Sequence, residues 1–287
     1  MNNGLPMPMV GLGTYKMLRE NVEVAIPAAI DCGYRLFDTA TIYRNEEDVG
    51  RVLGQLISSG KVSRSDIFVI SKLQTADQGY GSAKKAIEAS RQKLNLEYID
   101  CYLIHWPGAS GLDPSDPRNK EMRAGSWRAL EEALDAGFLR SIGVSNYMHS
   151  HLAEMEVYAK VMPMVNQIEL HPLYYPEDTI EYCQRRGIFV QAYSSLGRGK
   201  LLEETFLAAH PKISEMARLH GKEPSQVYLK WALQHSFGIL PKSISASRVQ
   251  SNIDLFDFEL GAAEMQYLDA LHFLEEQKIC WDPRPVA

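Results

Sequence analysis

The sequence predicts a (β/α)8 TIM barrel with long rim loops and a C-terminal tail over the active site, on three observations. Eight short apolar runs alternate with amphipathic stretches, the pattern of parallel strands joined by helical crossovers. Five of those runs end in or near a polar residue of a different chemical type (Asp38, Lys72, His105, Gln167 and Tyr193), as expected when one site is assembled from many strand ends. The chain has 287 residues, 45% of them hydrophobic, enough for one large core, so a single domain over 1–287 is expected.

The elements follow in order. The first strand is expected over 7–14, and a helix from about 22 carries Val22, Ala25, Ile26, Ala29 and Ile30 on one face, ending near Gly33 as the residue after its cap. A strand over 34–38 leads to a helix with Val49, Val52, Leu53 and Leu56 in register, for which Asn45 is the expected N-cap. After a strand over 67–72 a third helix carries Ala83, Ala86, Ile87, Ser90 and Leu94; after one over 99–105 a fourth carries Trp127, Leu130, Leu134 and Phe138. The remaining strands fall at 139–144, 163–170, 188–193 and 237–240. Segments 106–120, 194–210 and 273–287 exceed what connection needs and read as rim loops that cover or select.

A formal net charge of −6 argues against nucleic acid as a partner, since a phosphate backbone selects an excess of clustered Lys and Arg. Cys32, Cys101, Cys183 and Cys280 form no C-x-x-C pair, so reduced thiols are expected rather than a disulfide framework or a zinc ribbon. The N-terminal residues lack a basic segment followed by an apolar run, and no apolar stretch is long enough for a membrane span, so a cytoplasmic protein with no membrane partner is expected. Ser71-Lys72-Leu73 is internal and is no peroxisomal address.

Asp38, Tyr43, Lys72 and His105 are the candidate chemical groups. A tyrosine is a weak proton source at neutral pH unless its phenolate is stabilised, and the Lys72 ammonium is the expected stabiliser, held in place by the Asp38 carboxylate. His105 would orient a substrate oxygen or share the proton. Singly, each such residue is more often a solvated strand end or a packing side chain; it is their order and context that carry weight.

That context resembles the aldo-keto reductase family. The stretches are Phe37-Asp38-Thr39-Ala40-Thr41-Ile42-Tyr43-Arg44-Asn45-Glu46, Ile70-Ser71-Lys72-Leu73 and Tyr102-Leu103-Ile104-His105-Trp106-Pro107. Gly143-Val144-Ser145-Asn146, Val165-Asn166-Gln167-Ile168-Glu169-Leu170-His171-Pro172, Ala192-Tyr193-Ser194-Ser195-Leu196-Gly197 and Leu240-Pro241-Lys242-Ser243 extend the resemblance over nearly the whole chain. It implies carbonyl reduction to alcohols by hydride from NADPH, with Tyr43 as general acid, Lys72 and Asp38 tuning it, and His105 positioning the carbonyl.

The resemblance further implies that Ser145, Asn146 and Gln167 hold the nicotinamide carboxamide and that Tyr193 stacks on its ring, with contacts from Gly13, Thr14 and Asp38. Ser194, Leu196 and Gly197 belong to the loop that in this family folds over the cofactor pyrophosphate. Lys242, Ser243 and Arg248 would meet the 2′-phosphate, guanidinium suiting phosphate oxygens in particular, and Asn252 would face the adenine. Substrate walls are expected from Tyr15, Ile42, Trp106 and Trp281, an aromatic lining that suits aldehydes and ketones with hydrophobic bodies. Trp281 equally fits a role pinning the tail. Ser251 stands where many relatives carry glutamate, Gln74 where many carry tryptophan, and Ser195 where proline is usual; these departures put adenine affinity, one pocket wall and the stiffness of the 194–210 loop in doubt.

Other readings are weaker. Gly11-Leu12-Gly13-Thr14-Tyr15-Lys16 lacks the third glycine of a dinucleotide fingerprint, so its glycines are expected to serve close packing, and Gly199-Lys200 lacks P-loop spacing. His149-Ser150-His151 has no convergent third ligand, and no metal is expected. A regulatory subunit like the potassium-channel β-subunits would use the same barrel but carries extra N-terminal sequence and forms tetramers; a monomer acting on small-molecule carbonyl substrates is the expectation here.

Overall fold

The computed structural model describes residues 1–287. Along the chain run β1 (Gly11–Gly13), α1 (Arg19–Asp31), β2 (Leu36–Asp38), α2 (Glu46–Ser58), β3 (Phe68–Leu73), α3 (Tyr80–Leu94), β4 (Cys101–Ile104), α4 (Arg118–Asp135), β5 (Ile142–Ser145), α5 (His149–Met155), β6 (Val165–Glu169), α6 (Glu177–Arg185), β7 (Phe189–Tyr193), α7 (Glu204–Ala209), α8 (Pro211–His220), α9 (Pro224–Gln234), β8 (Gly238–Ile239), α10 (Ala246–Ile253) and α11 (Ala262–Leu274). The strands pair in parallel in the order β1 to β8, and a parallel bridge from Val10 to Ile239 brings the last strand to the first. This is a nearly closed (β/α)8 barrel. Its strands are buried on both faces, and one cluster of 68 buried side chains joins the barrel interior to the helical layer.

Close approaches explain glycines that read as packing residues. A Cβ on Gly11 would lie 2.1 Å from Leu36 Cδ2, and one on Gly13 would lie 3.0 Å from the Leu240 carbonyl, so β1 can sit between β2 and β8 only without side chains there. Gly33 closes α1 as expected, at φ 95°: its N–H donates to Ile30 O and the Tyr34 N–H to Ala29 O, a Schellman turn that aims the chain into β2.

Several expectations need correction. The first strand is three residues long, because residues 2–8 cross the bottom of the barrel: Asn2 and Asn3 donate to the carbonyls of Pro163 and Arg140, and Met7 Sδ faces Gln191. Phe138 lies beyond α4, since Gly137 at φ 79° ends that helix in a second Schellman turn. Asn45 precedes α2, but its side chain makes no cap bond and works elsewhere. Lys72 is not the last residue of its strand; Leu73 is. The 194–210 segment contains a 3-10 stretch over Gly197–Leu202 and then α7.

Candidate active site

The site grows from the upper ends of β2 and β3. Asp38 pairs in register with Ile70, and Lys72 lies two residues on, on the same face of its strand, so its side chain reaches back to the carboxylate. Lys72 Nζ donates to Asp38 Oδ1 and Oδ2, each at 2.7 Å, to Thr39 O at 2.9 Å and to Tyr43 Oη at 3.3 Å, from a side chain with no exposed surface. Tyr43 ends a 3-10 turn, Thr41–Tyr43, that folds back over β3 and is closed by Arg44 in the left-handed region at φ 57°. Asn45 fastens this turn. It accepts from Thr39 Oγ1 at 2.6 Å and donates to Thr14 O and Met17 O, tying the Tyr43 loop to the end of β1. His105 follows β4, its N–H bonded to Leu73 O, and its ring lies edge-on to Tyr43 with centroids 5.7 Å apart.

The electrostatics differ from the simple reading of a lysine that acidifies a tyrosine. Burial first, and then the Asp38 carboxylate, hold the Tyr43 hydroxyl well above its ordinary range. Burial lowers the Lys72 ammonium while Asp38 opposes it. Burial, aided by Lys72, pushes His105 well below 6.5, so the ring is neutral at physiological pH. With burial and the Asp38 carboxylate both favouring the neutral phenol, Tyr43 keeps its proton.

The expected cofactor residues fall into two groups. Ser145, Asn146, Gln167 and Tyr193 are already one hydrogen-bonded set. Ser145 Oγ donates to Gln167 O, Asn146 Nδ2 donates to His105 O and Ser145 Oγ, and Tyr193 Oη donates to Asn146 Oδ1 at 2.6 Å. Asn146 sits at φ 63°, a left-handed position that asparagine tolerates better than most residues. Gln167 Nε2 crosses the barrel to Asp38 Oδ2 at 2.8 Å and also donates to Gln191 Oε1 at 2.8 Å, so β2, β3, β6 and β7 share one polar layer. Thr14 is buried, its hydroxyl on Asp38 O at 2.8 Å, and Gly13 N–H donates to Pro241 O. Ser194 at φ 52° and Gly197 at φ 58° bend the loop after β7, with Leu196 half-buried between them.

The second group lies at the start of α10. Lys242 and Arg248 are exposed and form no ion pair, while Ser243 Oγ takes Arg248 Nε at 3.3 Å and Ser245 N–H at 3.1 Å. Two cations free of any carboxylate partner and the Ser243 hydroxyl beside a helix N-terminus form a donor set that fits a phosphate. Asn252 is buried on the same helix.

Three aromatic rings, Tyr15, Trp106 and Trp281, line the approach. Tyr15 lies 5.0 Å from Tyr43, and Trp106 stacks beside His105 and meets Trp281 edge-on at 4.8 Å. Ile42, 53% exposed, and Trp281, 50% exposed, stand at the mouth, with apolar surface available to a ligand. A cavity of about 170 Å³ borders Trp281 and is lined also by Gly108, Ser110 and Val286. Gln74 turns its amide to Asp77 Oδ2 at 2.9 Å rather than into the approach.

Sequence reading missed Asn45 as a loop fastener, Gln191 as the partner of Gln167, and Glu169, whose buried carboxylate binds the tail. The alternation of β6 places Glu169 on the face of Gln167, the one signal that pointed inward. In the His149-Ser150-His151 stretch, both ring nitrogens of His151 are engaged, Nδ1 accepting the Met148 N–H and Nε2 facing Val286 O.

Comparison with known proteins places these features. A family model described as the aldo/keto reductase family matches residues 9–272. A glyoxal reductase of Bacillus subtilis is 41% identical over 273 residues, covering 95% of this chain and 91% of that protein. A 9,11-endoperoxide prostaglandin H2 reductase of Trypanosoma cruzi is 39% identical over 285 residues, covering 99% and 93%. A Bombyx mori aldo-keto reductase solved in complex with NADP superposes with a TM-score of 0.87 at 31% identity, covering 97% of this chain and 93% of that one.

Proposed function

Since the chain belongs to the aldo/keto reductase family, whose barrels reduce carbonyls, we propose that it is an NADPH-dependent reductase of aldehydes and ketones that uses Tyr43 as its general acid. The observation that carries this reading is the convergence of Asp38, Tyr43, Lys72 and His105 at one rim, with Lys72 bonded to both Asp38 and Tyr43.

When bound, NADPH supplies the hydride that the carbonyl carbon receives. Ser145, Asn146 and Gln167 would hold the carboxamide by exchanging some of their mutual hydrogen bonds for bonds to it, Tyr193 would offer a ring face, and Gly13, Thr14, Ser194, Leu196 and Gly197 would line the nucleotide path. Lys242, Ser243 and Arg248 would hold the 2′-phosphate, with Asn252 beside the adenine. The chain itself handles the proton. A neutral His105 orients the carbonyl oxygen toward Tyr43 without competing for its proton. As charge develops on that oxygen it becomes far more basic than a phenolate, so even a tyrosine with a raised pKa gives up its proton, and the Lys72 N–H steadies the phenolate left behind. Asp38 keeps Lys72 in place through this exchange. Tyr15, Ile42, Trp106 and Trp281 would embrace the apolar body of the substrate. We further read residues 1–287 as one domain acting as a cytoplasmic monomer, for which a 32.4 kDa mass in size-exclusion light scattering is the check.

The test is fluorescence titration with NADPH and NADH, followed by 340 nm absorbance decay on adding aromatic aldehydes. NADPH binding with turnover is expected, and Lys242→Met should weaken NADPH by at least about tenfold while leaving NADH within about twofold. Equal weakening of both would remove the 2′-phosphate assignment, and no turnover on any carbonyl would remove the reductase.

A further inference from the structure

Glu169 is the last residue of β6 and is 1% exposed, yet it touches none of the four groups proposed to carry the chemistry. Its carboxylate is spent on residues more than a hundred positions away. Oε1 accepts the Ile279 N–H at 2.6 Å, and Oε2 accepts the Cys280 N–H at 3.0 Å and Lys278 Nζ at 2.6 Å. His171 Nε2 adds a contact to Oε1 at 3.2 Å. Two consecutive backbone amides and an ammonium thus converge on one buried carboxylate, a clamp of charge-assisted bonds whose loss would leave several buried donors unmatched. The Gln277 N–H on Leu173 O extends the clamp by one bond.

The next residue after the clamp is Trp281, whose ring packs on Trp106 beside His105. Beyond it the tail is anchored a second time, by His151 Nε2 on Val286 O at 2.9 Å and by the Ala287 N–H on Pro114 O at 2.8 Å. Between the two anchors, Trp281 is half-exposed and residues 282–284 bond only locally or to Glu276. Pro283 is buried and packs this stretch from the far side, but the nearest hydrogen-bonded anchor of the indole is the Glu169 clamp, one residue away.

We propose that Glu169 is a positioning residue for substrate selection, which fixes residues 278–280 so that Trp281 stands as a wall of the carbonyl site. The proposal rests on the reductase reading for its kinetic consequence but not for its structural one. Substrates large enough to reach the indole depend on the clamp, and small ones do not. Glu169→Gln keeps the size of the side chain but turns an NH2 donor toward groups that are themselves donors, so the tail should detach locally while the barrel stays intact.

The experiment pairs two readouts on purified Glu169→Gln and, as a milder change at the tail side, Lys278→Met. In the first, acrylamide quenching of tryptophan fluorescence, corrected with the same variants in a Trp281→Phe background, should show the half-exposed Trp281 becoming about 1.5-fold more accessible; Trp127 and Trp231 are fully buried and contribute little. In the second, KM for a bulky aromatic aldehyde should rise at least about fivefold with kcat nearly kept, while KM for a two-carbon dialdehyde and Kd for NADPH stay within about twofold. Wild-type quenching in both folded variants would overturn the clamp, and so would an equal loss of kcat on large and small substrates. Because quenching needs no turnover, a wild-type protein inactive on every carbonyl would count against the reductase and leave the clamp to be judged by Trp281 alone; if Glu169→Gln does not fold, Lys278→Met decides.

Discussion

Lys72 shows how a single residue can be legible in position and misleading in effect. Its place near the end of the strand next to that of Asp38 made the ion pair foreseeable, but the expectation that its charge would acidify Tyr43 ignored burial, which dominates when a phenol and an ion pair share a dry site. Tyr43 stays protonated with ease; in the proposed reaction the difficulty of releasing that proton would be met by the growing basicity of the substrate oxygen. His105 gives this a measurable edge. Its pKa lies well below 6.5, so it remains neutral across the neutral range, and kcat/KM for aldehyde reduction should show no inflection near pH 6.5. A break of tenfold per pH unit centred there would mean that His105 titrates in the working enzyme.

At the scale of elements, backbone proximity governs what a sequence change can do. Gly50 in α2 faces α3 so closely that a Cβ would lie 2.0 Å from Leu94 O, a backbone atom that cannot swing aside. Gly50→Ala, ordinarily a helix-stabilising change, should here destabilise by at least about 2 kcal/mol, read as a lower urea midpoint; an unchanged midpoint would show that α2 and α3 separate freely. The first four helices were legible from their apolar stripes. By contrast, α9 is buried over seven consecutive residues, Gln226 to Ala232, and so shows no stripe, while α11 has only Leu268 and Leu271 fully buried. Strand order followed from alternation alone, but strand length did not: nothing local told residues 7 and 8 that they would cross the barrel bottom, with pairing beginning only at the Met9 carbonyl, which accepts the Ile239 N–H. The rim positions of Asp38, Lys72 and His105 were legible because each ends or nearly ends a strand. Glu169 was not, because its partners lie 109 to 111 residues away.

For the whole molecule, groups whose protonation differs on folding make stability depend on pH. Burial pushes His151 to about 4 in the folded protein, against 6.5 unfolded, so the unfolded chain binds more protons between those values and stability is lost as pH falls from about 6.5 to about 4. His105 acts in the same direction from the same upper limit. Burial would raise Glu169, but the bonds from His171, Lys278 and Ile279 outweigh it and hold it at about 2, so its contribution is present above 4.5 and lost between about 4.5 and about 2. Urea midpoints should accordingly fall between pH 7 and pH 5, and a His151→Gln variant, whatever its midpoint at pH 7, should show a shallower fall. Equal midpoints at the two pH values in the unsubstituted protein would contradict the buried neutral imidazoles. No helix is long and apolar enough to cross a membrane, and the family match covers residues 9–272.

The central claim is that the Tyr43 hydroxyl delivers the proton at a site where other residues hold the nucleotide. It is tested most directly by measuring Tyr43→Phe twice, for NADPH binding by fluorescence titration and for aldehyde reduction at 340 nm. The account predicts a fall in kcat of at least about a thousandfold with the Kd for NADPH within about threefold of the unsubstituted protein. A Tyr43→Phe protein that turns over within tenfold of the original would contradict it and assign the proton to another group.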